Sequence, residues 1–192
     1  MFKTLPIKDR EMFLKYAIPC GDVLVDRGEL KQRLLDKMKG SVIDQKELNY
    51  DIENTFKVAT RMCTILGTNM GKSDIDEEVI RKYFLHEHEK AIQWRMQIKP
   101  DVIPEKCMVY PGRVVNTNSK GVTLNTPLGR VVAKDEFIDR LRTGDWVSMH
   151  YSQIAEKIPK KEADSMVNEF KERLEKKYII TGNNKIGDAV EI

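Results

Sequence analysis

A basic excess is missing from this chain. Its 33 Lys and Arg stand against 30 Asp and Glu in 192 residues, a net charge of only +3. Nucleic-acid-binding modules ordinarily carry a clear surplus of cations. Neither half supplies one: residues 1–106 hold 19 basic and 18 acidic side chains, and residues 107–192 hold 14 and 12. Nucleic acid is therefore not an expected partner. Long apolar runs are missing too. Nothing approaches the roughly 18 residues of a membrane span, so no membrane is expected. The opening residues lack an apolar core followed by a small-residue cleavage site, and no secretory leader is expected. Cysteine is scarce: Cys20, Cys63 and Cys107 are odd in number, far apart and form no CxxC pair. That argues against a disulfide framework and suits a reducing, cytoplasmic location.

What is present is a foldable composition, 41% hydrophobic and 33% charged, above the disordered range. The length suits one good-sized domain or two small ones. The first half carries helical spacing. Asp9 opens a short helix with Met12, Phe13, Tyr16 and Ala17 on one stripe, and Pro19 is placed to close it. Asp26 and Glu29 form a variant capping box ahead of Leu30, Leu34 and Met38, with Gly40 as the stop. Asp44 and Glu47 repeat the signal before Leu48, Ile52, Phe56, Ala59, Cys63 and Leu66, with Gly67 ending the run. Ser73 with Asp76 starts a fourth helix through Val79, Ile80, Tyr83, Phe84, Ala91, Ile92 and Met96 toward Pro100. The expectation is a four-helix domain over residues 1–100.

Pro100 and Pro104 mark a stiff linker at residues 101–106. The pattern then turns to β. Residues 108–117, 121–125 and 129–133 are short runs of Val, Thr and Leu separated by Gly-containing turns. Residues 134–141 are ambiguous. A Gly144-Asp145 turn leads into a strand at residues 146–150, and a last helix spans about residues 160–177, with Ala163, Val167, Phe170 and Leu174 on one face. The fold class expected is α+β: an all-helical N-terminal domain, then a small OB-like β-barrel with a C-terminal helix over residues 107–178, and a tail at 179–192.

Few residues suggest chemistry. His86 and His88 form an HxH pair in a helical setting, where residues two apart face differently, and read as solvated. Cys63 reads as core, and Cys20 as an incidental loop cysteine. Cys107 opens the first barrel strand, at a rim where a thiol is reachable, and Pro111-Gly112 would bend that strand. A thiolate is a soft metal ligand and a nucleophile. His150 ends an apolar strand and reads as structural. No Ser-His-Asp order, phosphate loop or acid pair stands out, so no enzyme is expected. An OB-like binder of single strands would need a basic face and exposed stacking aromatics. Tyr110, Phe137, Trp146 and Tyr151 are the candidates, with Trp146 read as core.

Residues 107–170 resemble the HypC/HupF family of [NiFe]-hydrogenase maturation chaperones. Cys107, Pro111, Gly112 and Val114 reproduce the spacing of the family's opening motif. Gly144, Asp145, Trp146, Val147 and His150 match its Gly-Asp turn, apolar strand and His. Ile154 through Ile158, then Glu162-Ala163, follow its apolar stretch and acidic helix start. The resemblance covers about one third of the chain. It implies a small barrel that pairs with a HypD-like scaffold, carries iron with cyanide and carbon monoxide ligands, and delivers it to an immature hydrogenase large subunit or related metalloprotein. Cys107 would then be the iron-associated thiol and His150 a second contact, with no tightly bound cofactor. Pro111 and Gly112 would shape the strand that presents Cys107.

Three features depart from the family. Cys107 follows 106 residues rather than lying near a terminus. Tyr151-Ser152 follows the His where the family has small residues. The helical domain is an addition. The expectation is a chaperone homologue acting through protein contacts; the alternatives are a HypC-like barrel reused as an adaptor without metal, and an OB-like single-strand binder.

Overall fold

In the computed structural model the described residues are 3–21, 52–88 and 107–181, with Glu29, Gln32, Arg33, Leu35 and Asp36 besides. The chain divides into two compact units, Met1–Val109 and Tyr110–Ile192. Among the described residues no helix is long and apolar enough to cross a membrane.

In the first unit, α1 spans Arg10–Gly21. Asp9 caps it by accepting the Met12 amide through Oδ1 at 3.0 Å, which satisfies one of the four orphan donors at a helix start. Phe13, Leu14, Tyr16, Ala17 and Ile18 are all buried, so the helix sinks most of its circumference rather than one stripe. Pro19 does not close it: it lies inside the helix. So near the end, the missing amide removes only one terminal bond.

The α2 helix spans Lys57–Asn69. A helical turn at residues 52–55 precedes it, with Phe56 off the helical angles at φ −111°, ψ 42°. The bonds Phe56 N to Ile52 O and Thr60 N to Phe56 O, both 2.9 Å, carry the ladder across this irregularity. Gly67 is not the stop. A β-carbon there would sit 3.1 Å from Leu5 Cδ1 and 3.5 Å from Val79 Cγ2, so this glycine admits close packing. The stop is Gly71, at φ +72°. Its amide bonds Thr68 O and the Lys72 amide bonds Gly67 O, the paired bonds of a Schellman ending.

The fourth helix starts at Asp76 rather than Ser73. Asp76 Oδ1 accepts the Val79 amide at 3.0 Å, and α3 spans Glu77–Arg81. It passes into a π-helical turn, Lys82–Glu87, which buries Tyr83, Phe84 and Leu85 in succession. Phe84 is the hub of the unit's core: it stacks on Tyr16 at 5.0 Å and meets Phe13 and Tyr83 edge-on at 5.9 and 4.7 Å. A parallel bridge between Ile7 and Ile75 ties the entry segment to the residues just ahead of α3. The predicted second helix is described only around Glu29–Arg33, an i,i+4 ion pair at 3.2 Å, and Gln32–Asp36. Leu30, Leu34, Met38, Gly40, Asp44, Glu47, Leu48, Ala91, Ile92 and Met96 lie outside the described residues.

The second unit holds a five-stranded antiparallel sheet: β1 Val109–Asn118, β2 Gly121–Thr126, β3 Gly129–Ala133, β4 Trp146–His150 and β5 Gln153–Lys157, in the order β3-β2-β1-β4-β5. The α+β class is as expected, but the sheet is not a closed barrel. Among the described residues β3 and β5 are the edges, and one parallel bridge, Lys134 to Gln153, joins the residue after β3 to β5. Inward Val122, Leu124 and Thr126 alternate with outward Thr123 and Asn125 on β2, the period-two pattern of a half-buried strand. The α4 helix, Lys160–Thr181, buries Ala163, Met166 and Phe170. Its stripe therefore runs through Met166, with Val167 only half-buried. Phe170 lies 6.4 Å from Tyr110. The Leu174 side chain lies outside the described residues.

Candidate functional site

Gly112, Gly144 and Asp145 of the Pro-Gly and Gly-Asp motifs each have a structural task. Pro111 and Gly112 are buried in β1, ahead of its first pairing with β2 at Arg113–Asn125. A β-carbon on Gly112 would meet Leu124 Cδ1 at 3.0 Å and Leu124 Cβ at 3.2 Å. The residue is glycine because β2 packs directly over it. The strand's irregularity falls later than Pro111-Gly112, as a register shift between Val114 and Asn116.

Gly144 stands at φ +95° with nothing within 4 Å of its absent β-carbon, so backbone freedom rather than space requires glycine there. Its amide bonds Val114 O at 2.8 Å, and the Val114 amide bonds Asp145 O at 2.8 Å. This pair of bonds joins the turn ahead of β4 to β1. Asp145 Oδ2 accepts the Arg142 amide at 2.8 Å and the Lys157 ammonium at 2.7 Å. The Lys157 bond, then the Arg142 amide, hold the Asp145 carboxyl below the usual carboxylate range. Asp145 is a turn clamp.

The two candidate metal contacts fall in different units. Cys107 belongs to the first, in a helical residue just ahead of β1, and is only 7% exposed. The reachable rim thiol expected from the sequence is thus a buried one. His150 belongs to the second unit, ends β4 and is 0% exposed. Its ring centroid lies 5.2 Å from that of Tyr151. Tyr151 begins the two-residue turn between β4 and β5 and adopts φ +56°, the left-handed region where glycine is the unstrained choice. Cys63 and Cys107 are in no disulfide. Burial pushes the Cys63 thiol far above its ordinary value, which keeps it protonated and inert. The side chain of Cys20 lies outside the described residues. No group of three or more His, Cys, Asp or Glu able to hold a metal occurs among the described residues.

Sequence reasoning missed two features. His88 is not solvated: it is buried, with Nδ1 3.1 Å from the Tyr83 hydroxyl. The π-helical turn rotates it inward. The second feature is a polar face on the β4–β5 hairpin. Ser148 pairs with Glu156 and His150 with Gln153, while Ala155 bulges out of register. Paired residues share a face, so the bulge gathers four buried polar side chains, Ser148, His150, Gln153 and Glu156, on one side. Gln153 Nε2 donates to Lys134 O at 3.1 Å, which tightens the bridge between β3 and β5. Strict alternation would have put Gln153 and Glu156 on opposite faces, and no sequence signal marks the bulge.

The aromatics tested for stacking divide. Tyr110 and Phe137 are buried; Trp146, expected in the core, is half-buried, as is Tyr151. Separately, the first unit has an open cleft of about 280 Å³ lined by Thr4, Glu53, Lys57, Thr60 and Arg61, none of which the sequence reading singled out. No family model matches this chain, and neither a curated protein nor a solved structure does.

Proposed function

We propose that the chain is a non-enzymatic protein-binding adaptor or chaperone whose second unit is a HypC-like, OB-like sheet. One observation carries the reading. The order β3-β2-β1-β4-β5, with the ends of β3 and β5 meeting at the Lys134–Gln153 bridge, fits a five-stranded, partly open barrel of OB type. The HypC-like motif residues support the same reading, because Gly112, Gly144 and Asp145 have tasks in building such a sheet that need no metal. The likeness to the HypC/HupF family rests on these residues and their spacing.

Hydrogenase maturation is the more specific form of this function. In it a HypD-like scaffold and an immature hydrogenase large subunit or related metalloprotein are the partners. Iron with cyanide and carbon monoxide ligands is the cargo, and Cys107 and His150 contact it. The position of Cys107 four residues ahead of Pro111-Gly112 favours this form. Its burial means that exchange of cargo would require local opening ahead of β1.

Anaerobic capture from the native host, with wild type and Cys107→Ala side by side, tests both forms. Maturation partners together with infrared bands of iron-bound cyanide and carbon monoxide, lost in the variant, would establish iron delivery. Specific partners retained by the variant without those bands would establish the adaptor without metal. No specific partner for either protein would sink the protein-binding reading.

A further inference from the structure

The sheet concentrates positive charge that the counts by halves conceal. Between Val109 and Ala133 there is no Asp or Glu, while Arg113, Lys120 and Arg130 are present and Lys134 follows. Arg113 pairs across to Asn125, and Asn125 to Arg130. The two arginines therefore flank one asparagine on the outer face, and all three are exposed. Arg130 Nε donates to Asn125 Oδ1 at 3.3 Å, and neither arginine has an ion-pair partner among the described residues. On β3 the outward side chains are Arg130 and Val132, and Lys134 follows just beyond the strand. Val132 is 60% exposed, the most exposed large apolar side chain described.

β3 is also an open edge. The Lys134 amide bonds Ser152 O at 2.8 Å, and Lys134 O accepts the Ile154 amide at 2.9 Å, so Lys134 directs its main chain away from β2. Strand groups alternate direction with period two. Val132 and Arg130 therefore direct their N–H and C=O the same way, where the sheet order places no further strand among the described residues. Unpaired edge groups beside an exposed apolar side chain are a template for strand addition.

We propose that the edge of β3 docks an extended segment of a partner protein, which places an acidic side chain beside Arg130 and an apolar one beside Val132. Charge complementarity selects the occupant. Strands β1 to β3 carry cations and no carboxylate, which steers an acidic segment and repels a basic one. A single nucleic-acid strand would also be attracted, but it gains its binding by stacking on aromatics. Neither Arg113, Asn125, Arg130, Thr123 nor Val132 on this face is aromatic. The inference rests on the protein-binding reading and is independent of iron and of Cys107.

The test uses the full chain and a fluorescent peptide alternating Thr with Glu, Val and Glu, beside a control with Lys in place of Glu and a mixed-sequence single-stranded oligonucleotide. Anisotropy should show binding of the Glu peptide alone, weakening as salt rises. The double variant Arg113→Glu/Arg130→Glu should weaken it at least about tenfold. Val132→Pro removes an amide that faces away from β2, a substitution edge strands tolerate, and should abolish binding while leaving the circular dichroism unchanged. Amide exchange at Arg130 and Val132 should slow in the complex. No binding of the Glu peptide at low salt overturns the proposal. So does tighter binding of the oligonucleotide, equal binding by Val132→Pro, or a wild-type dimer that Val132→Pro dissociates, which would make a second copy the occupant. Partners captured from the host equally by wild type and the Arg113→Glu/Arg130→Glu chain overturn the edge proposal alone; absence of specific partners for wild type overturns the protein-binding reading.

Discussion

Asp145 carries two separable interactions, and a three-variant series isolates them. Its Oδ2 accepts the Arg142 amide at 2.8 Å and pairs with Lys157 at 2.7 Å. The side chains of Asp145 and Lys157 are 28% and 43% exposed, so solvent and salt screen the pair and it contributes only about 0.5 kcal/mol. The amide bond to a carboxylate contributes about 1–2 kcal/mol. Asp145→Asn keeps an acceptor for Arg142 and loses the charge, so it should cost about 0.5 kcal/mol. Lys157→Ala also loses the bond that its ammonium donates to Arg140 O at 3.0 Å, so it should cost more than Asp145→Asn. Asp145→Ala loses both and should cost about 2 kcal/mol. Trp146 adjoins the turn and is one of only 2 tryptophans, so urea titration of its fluorescence in a Trp94→Phe background reports this sheet. The carboxyl is depressed in the folded chain. Its contribution is therefore complete above the unfolded carboxylate pKa of about 3.9 and is lost as pH falls through the lower folded value. The gap between wild type and Asp145→Asn should close below that value and stay constant from pH 5 to 8. If Asp145→Asn costs as much as Asp145→Ala, the turn depends on charge rather than on the acceptor, and the clamp argument fails.

Three further outcomes follow from local geometry. Gly144→Ala meets no atoms, so it should cost only the ~1–2 kcal/mol of a left-handed alanine. Gly121→Ala is at φ +128° and would press its β-carbon to 2.6 Å from Ala133 O, so chemical denaturation should show it costing at least ~1 kcal/mol more. Asp76→Ala should lower the stability of the first unit by about 1 kcal/mol through loss of the Val79 cap, with Asp76→Asn retaining most of it in thermal unfolding. Alkylation followed by peptide mass spectrometry should find Cys63 and Cys107 protected in the folded chain and reactive in denaturant, in keeping with their burial; rapid native labelling of Cys107 would show that the segment before β1 opens readily and would favour cargo exchange there.

Local chemistry was legible in the sequence wherever one residue type answers one backbone need. Asp9 was read as a cap and is one. The Gly144-Asp145 turn and the Val-rich runs of β1, β2 and β3 fall where glycine, capping carboxylates and period-two alternation put them, and the α+β class follows from that succession. Decisions that depend on what lies opposite were not legible. Gly67 reads as the helix stop until Leu5 and Val79 are seen against it. Cys107 looks reachable beside a strand start, yet burial is set by packing that its neighbours in sequence do not encode. The bulge at Ala155 gathers His150 with Glu156 on one buried face, and a one-residue slip in register reverses every side chain beyond it. Closure of the sheet was decided the same way. Strand content announces a small β unit, but only the long-range register between Lys134 and Gln153 determines that its two edges meet at a single bridge and leave β3 open, because edge pairing is a contact between segments about twenty residues apart and not a property of either one.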